Sequence, residues 1–331
     1  MTDMKGDRVM NRRSILLSAA LGLLASPALA QPGWPGRPLR IIVPFAPGSF
    51  TDVSARLLGQ ELTEQLGQQV VVENRAGAGG TLGAQAVVRA APDGLTLLLS
   101  DNSLAISPGL YPNLGFNPAT DLIQISRIAE SPSLLMVRTG LGPRSLADLI
   151  ALARQRPGEI TFGSGGQGSS AHLAMELMLG AAGIRGLHVP FRGVAAAIAE
   201  VIAGRVDMVI ASLASGVAHV REGRMLGLGV TGRARSTLLP GVPTFAEAGL
   251  PAYDMNYWWG IAAPAGTPAD IIARLNREIV AACQKPRLRE AFAQSAAVAV
   301  TSTPEEMQRH LVEEIAVWRD VIARGNIRPE A

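Results

Sequence analysis

Apolar positions along the chain repeat in two periods. Leu39-Arg40-Ile41-Ile42-Val43-Pro44-Phe45 is a short apolar run ended by Pro-Gly chemistry, which predicts a buried strand. From Thr51 to Leu66 the apolar residues Val53, Leu57, Leu58, Leu62 and Leu66 share one helical face, and Gly67 stops the helix. Val70 to Glu73 predicts a second strand and Thr81 to Ala90 a second helix. Pro92-Asp93-Gly94 is a turn, and Thr96 to Leu99 a third strand. This is the βαβ alternation of a parallel sheet covered on both faces.

The alternation then restarts. Helices are predicted over Ser145–Arg156, Ser169–Gly180 and Ala195–Ala203, with strands over Glu159–Phe162, Leu187–Val189 and Val206–Ile210. Two further apolar runs, Ser133–Val137 and Tyr257–Ala263, read as strands crossing between the two α/β units. Helices over 269–284 and 305–324 follow, and Thr303 caps the last one with Pro304 at its first position. A chain that leaves one unit, builds a second and returns is a two-lobed α/β protein with a ligand cleft between the lobes. The expected domains are 31–133 with 256–331, and 134–255.

Residues 1–30 have a different pattern. Lys5, Arg8, Arg12 and Arg13 precede the apolar run Ile15–Ala25, and Ala28-Leu29-Ala30 is a small-x-small cleavage site. This is the build of a secretory signal peptide, and it implies export to the periplasm. Arg12-Arg13 also fits a twin-arginine signal, so the export route stays open.

The segment changes the charge account. Of 331 residues, 30 are Lys or Arg and 27 Asp or Glu, a net charge of +3. Residues 1–30 take four basic and two acidic residues, so the remainder is close to neutral. That balance excludes a nucleic-acid binder, and 48% apolar residues excludes a disordered chain. A single cysteine, Cys283, allows no internal disulfide and no Cys-based metal site. The four histidines include no H-x-x-x-H pair, so neither a metal nor a cofactor is expected.

Two loops could hold a ligand. The first, Pro47-Gly48-Ser49-Phe50-Thr51-Asp52, ends strand one and opens helix one. Open α/β sheets bind ligands at such ends, and a helix N-terminus suits an anion. Ser49 and Thr51 add hydroxyls, or they cap the helix. Asp52 would repel an anion, so it complements the helix dipole. The second loop, Ser164-Gly165-Gly166-Gln167-Gly168-Ser169-Ser170-Ala171-His172, occupies the equivalent place in the second unit. Gly163, Gly165 and Gly168 spell G-x-G-x-x-G, but the next strand ends Val189-Pro190-Phe191-Arg192 without the acid a dinucleotide site needs. Hydrolysis by Ser169 or Ser170 is disfavoured, because neighbours on a helix start do not point at one another as nucleophile and base must. His172 reads equally as ligand contact or helix face, and His219 and His310 as solvated residues.

The chain resembles the substrate-binding receptors of tripartite tricarboxylate transporters, the Bug or TctC family. The resemblance rests on the order of many short motifs. They include Val43-Pro44-Phe45, Pro47-Gly48 with Thr51-Asp52, and Glu73-Asn74-Arg75 before Gly77-Ala78-Gly79-Gly80. Leu110-Tyr111, Gly163-Ser164-Gly165 with Gly168-Ser169-Ser170 and His172, Val189-Pro190-Phe191-Arg192-Gly193 and Gly204-Arg205-Val206-Asp207 follow. Val242-Pro243-Thr244 and Ala263-Pro264-Ala265-Gly266-Thr267-Pro268 close the set. The resemblance implies a non-enzymatic periplasmic receptor, monomeric, that closes on a small carboxylate and hands it to membrane permease subunits. A sensor feeding a signalling system would need the same cleft. The family's ligand loops correspond to Pro47–Asp52 and Ser164–His172. Ser49 replaces a usual second Gly, Phe50 brings a bulky ring, and Phe191 stands where Tyr is common. These departures imply a tighter, more apolar pocket and a ligand with one carboxylate and an apolar or aromatic remainder.

Overall fold

The structure is a computed structural model that describes residues 33–325, 327 and 328. The signal peptide expected over 1–30 lies outside the described residues. Strands β1 (Leu39–Val43), β2 (Val70–Asn74) and β3 (Thr96–Asp101) run parallel, with β1 in the middle. Helices α1 (Phe50–Leu66) and α2 (Thr81–Val88) connect them. Gly67 ends α1 in the left-handed conformation that glycine adopts without strain. Helix α3 (Asn102–Leu110) follows β3 and is buried almost throughout.

The second half repeats the arrangement. Helix α4 (Leu146–Gln155) starts at a capping box between Ser145 and Asp148. Then come β5 (Thr161–Ser164), α5 (Ser170–Ala182), β6 (Leu187–Pro190), α6 (Val194–Ile202), β7 (Met208–Ser212), α7 (Leu213–Arg221) and β8 (Met225–Val230). Strand β5 lies parallel to both β6 and β7.

Strand β4 (Leu122–Arg138) belongs to both halves. Its residues Leu122–Pro132 pair with β9 (Asn256–Pro264), and Ser133–Val137 pair with β7. The sheet order is β2-β1-β3-β9-β4-β7-β5-β6. The chain returns to the first half through 231–255, and this return is pinned to β4. The Ser133 N–H donates to Thr231 Oγ1 at 2.7 Å, and the Thr231 N–H to the Ser133 carbonyl at 3.0 Å. Thr231 Oγ1 lies 2.9 Å from Asn256 Oδ1.

Helices α8 (Ala269–Gln284), α9 (Pro286–Gln294) and α10 (Pro304–Gly325) complete the first half, with the short strand β10 (Val298–Ala299) beside β4. Thr303 caps α10 as expected: its hydroxyl accepts the Glu306 N–H at 3.1 Å. Cys283 is buried, and burial pushes its thiol up to about 12, so it stays protonated and inert. Among the described residues no helix is long and apolar enough to cross a membrane.

Candidate functional site

The first loop sits where the sequence places it, at the end of β1, but several of its side chains turn inward. Ser49 caps α1, its hydroxyl accepting the Asp52 N–H at 3.3 Å. Asp52 accepts from the Gly48 N–H at 3.3 Å, from Asn74 Nδ2 at 2.9 Å and from Arg56 at 2.9 and 3.1 Å. Burial works to raise its pKa, but these hydrogen bonds and the Arg56 charge outweigh it and hold the carboxyl below its ordinary value. Asp52 therefore fixes the loop rather than meeting ligand. Asn74 Nδ2 also donates to the Phe45 carbonyl at 2.9 Å, tying the end of β2 to the same loop.

The expected narrowing by Phe50 does not occur. Its ring is buried, 4.5 Å from Trp259 and 5.3 Å from Phe292, because the first turn of α1 presents it to the core. Trp259 Nε1 donates to Thr51 Oγ1 at 3.0 Å, leaving the Thr51 hydroxyl hydrogen for another partner. Pro47 and Gly48 are exposed at the loop tip.

The second loop also supports itself with residues expected to bind ligand. The Ser164 hydroxyl is fully buried, 3.1 Å from the Gly166 N–H and 2.6 Å from His188 Nε2. His172 is buried and stacks on His188 at 3.9 Å, and its Nδ1 accepts the Gly168 N–H at 3.2 Å. Burial, then the neighbouring His188, pushes His172 down to about 3; burial pushes His188 down to about 4. Both rings are neutral near pH 7, and His172 is a strut behind the loop. Phe191 is half-buried against the apolar core of the second half, and its N–H donates to the Ser164 carbonyl at 3.1 Å. Ser169 caps α5 by accepting the His172 N–H at 3.3 Å. His219 and His310 are half-buried rather than solvated.

The two halves meet directly beside these loops. Tyr111 Oη donates to the Gln167 carbonyl at 2.8 Å, and the Ala46 N–H to the Arg192 carbonyl at 3.3 Å. A Cβ on Gly79 (φ 63°) would lie 2.2 Å from the Gln167 carbonyl oxygen, so only glycine fits there. Gly168 (φ 75°) is equally closed in, with Tyr111 Oη 2.8 Å from where its Cβ would be. The G-x-G-x-x-G spacing thus serves close packing, since Gly163 lies against Ala197 and Gly165 against Val194. Ser170, the first residue of α5, lies close enough to the carboxylate of Asp101 across the interface to favour its ionised form. Behind it lies a void of about 10 Å³ lined by Pro44, Gly80, Ser100, Asp101 and Ser103 among others.

Sequence reasoning did not assign Gly79, Asp101, Ser103 or Tyr111 to the site. The glycine cluster 77–80 was the available signal, because so many small residues after a strand mark a close backbone approach. Among the described residues no three His, Cys, Asp or Glu side chains come together to hold a metal ion.

Two parallel α/β halves, facing each other with loops at strand ends and helix starts, define a two-lobed solute-binding protein. The chain belongs to the tripartite tricarboxylate transporter family of receptors, whose family model matches residues 54–327. It is 38% identical to BugT of Bordetella pertussis over 313 residues, 92% of this chain and 96% of that protein. The structure of Rpa4515 from R. palustris with adipate is 35% identical with a TM-score of 0.85, covering 90% of this chain and all of the other. MatC (Rpa3494) from Rhodopseudomonas palustris with bound malate is 31% identical with a TM-score of 0.84, covering 87% of this chain and 100% of that one. Proteins of this family are receptors, and the chain is a receptor rather than an enzyme.

Proposed function

We propose that the protein captures a small carboxylate in the cleft between the loops at 47–52 and 164–172, in the periplasm, and delivers it to the permease subunits of a tripartite tricarboxylate transporter. The reading assigns 31–133 and 256–331 to one lobe, 134–255 to the other, and the export signal to 1–30. It takes the receptor to act as a monomer.

The observation that carries it is that the two halves face each other at strand ends and helix starts: the Ala46 N–H meets the Arg192 carbonyl three residues before the cap of α1, and Tyr111 Oη meets the Gln167 carbonyl two residues before the cap of α5. Such ends favour an anion by about 0.3–1 kcal/mol each, up to ~2 when partly buried. A micromolar ligand needs roughly 8 kcal/mol, so direct hydrogen bonds and lobe closure must supply the rest. The relatives bound to adipate and malate support a carboxylate. Because Phe50 and Phe191 pack into the protein, the structure gives no reason to require an aromatic ligand.

The test is a thermal-shift screen of the mature protein against mono-, di-, tri- and amino-acid carboxylates. A ligand at 100 times its dissociation constant stabilises the fold by about 2.7 kcal/mol. Stabilisation by none of them argues against carboxylate capture. Deleting the gene separates transport from sensing: lost uptake supports the receptor, whereas normal uptake with lost induction supports a sensor.

A further inference from the structure

Asp101 is the last residue of β3 and the N-cap of α3, at the strand end that faces the second lobe. The residue is 4% exposed. The Ser103 N–H donates to Oδ1 at 3.0 Å, and the Ser103 hydroxyl contacts the same oxygen. The Ser170 hydroxyl, from the opposite lobe, and the buried Tyr257 are near enough to act on the carboxylate electrostatically. Among the described residues no Lys, Arg or His stands near enough to balance the charge. Other carboxylates at the strand ends are matched: Asp52 by Arg56, and Glu73 by Arg75.

Capping α3 needs only one oxygen, and asparagine or serine caps as well without a buried charge. A buried carboxylate without a cation is costly to keep ionised. Burial pushes Asp101 up to about 6 even though Ser103 and Ser170 oppose the rise. A second polar group is also unsatisfied here. Ser100 Oγ, with its residue 1% exposed, has no hydrogen-bond partner among the described residues and lines the same small void as Asp101.

We propose that Asp101 is the specificity-determining residue of the cleft, and that it selects carboxylates bearing an ammonium group on the same small molecule. The inference rests on the carboxylate-capture reading above. The helix starts take the ligand's carboxylate, while Asp101 supplies the missing half of an ion pair to its ammonium, with the Ser100 and Ser103 hydroxyls beside it. A ligand lacking the ammonium leaves a buried charge unmatched.

The test is isothermal titration of the mature protein with matched pairs: glutamate and glutarate, aspartate and succinate, 4-aminobutyrate and butyrate. At least one ammonium-bearing member is expected to bind about ten- to a hundredfold more tightly than its partner, the worth of a charge-assisted hydrogen bond. Asp101→Asn keeps the cap and should abolish that preference without shifting the thermal midpoint of the free protein greatly. Equal or tighter binding of the deaminated members overturns the role of Asp101 and leaves carboxylate capture standing. A preference that survives Asp101→Asn also overturns it. Binding by neither series overturns the role of Asp101, while carboxylate capture stands or falls with the wider thermal-shift screen.

Discussion

Gly79 offers a clean way to separate closure from folding. Replacing it with alanine places a methyl carbon 2.2 Å from the Gln167 carbonyl oxygen and 2.9 Å from the Gly168 carbonyl carbon. Both neighbours are backbone, so neither can swing aside as a side-chain tip would. Restoring ordinary contact requires the loops to separate by about 1 Å, which also stretches the Tyr111–Gln167 hydrogen bond. Overpacking of this kind costs about 1–3 kcal/mol, here charged to the closed form. At 1.4 kcal/mol per factor of ten, affinity should fall about 5- to 150-fold. The free protein carries a separate cost of about 1 kcal/mol for alanine in left-handed backbone. Gly67→Ala is the matched control, because Gly67 has nearly the same φ of 64° and nothing within 4 Å of its Cβ position. Denaturant unfolding of the free proteins and calorimetric titration with the tightest carboxylate hit supply the two readouts. Similar unfolding losses with weak binding only in Gly79→Ala are expected. Affinity within twofold of the parent in Gly79→Ala would refute the idea that this contact forms when ligand is held.

Three other changes follow from the site. Tyr111→Phe removes one hydrogen bond between the lobes, so binding should weaken about three- to tenfold by calorimetry. Thr51→Val leaves the buried Trp259 indole N–H without its acceptor; denaturant midpoints should show a loss of about 1–3 kcal/mol, with Thr51→Ser near the parent. The His172 pKa lies below the unfolded value, so its folded form is favoured above pH 6.5 and loses stability as pH falls from there toward about 3. His172→Asn places an oxygen near the Nδ1 position but does not titrate. Its stability deficit at pH 7.5 should therefore shrink by up to roughly 1.4 kcal/mol per pH unit below 6.5; a deficit unchanged from pH 7.5 to 4.5 would be inconsistent with a neutral, buried ring.

Much of the frame was legible in the sequence, and the failures have physical causes. Helix α8 matches its expected span because a strong apolar stripe, with Ile272, Leu275 and Ile279 buried, meets a polar outer face. The first half of β4 was missed because its inward positions include Gln124, Ser126 and Ser131, polar residues that read as surface. Ser126 and Ser131 are instead held by distant carbonyls, those of Ser302 and Ala296. Helix α3 has no stripe to read: it carries Pro108 and is covered on nearly every side. At the site, chain position located both loops, but not side-chain direction. Phe50 and His172 stand where a ligand contact would stand, yet the turn of each helix points their rings into the protein. Contacts such as Gly79 with Gln167 join segments far apart in the chain, and no local pattern reports them.

The strand shared by both halves has a mechanical consequence. Lobes joined by loose linkers swing freely; here β4 carries one ladder from Leu122 to Arg138, handed from β9 to β7 and β8 at Pro132–Ser133. Pro132 has no N–H, so a donor is missing at the handover, and the register of β4 also shifts at Gln124/Ser126, Arg127/Ala129 and Leu135/Met136. Any opening of the proposed cleft would therefore act as torsion on a sheet, concentrated at this joint. One residue inserted at this joint would rotate the second lobe's inner face outward, since strand side chains alternate. The length of this segment is thus set by which face the second half turns toward the first.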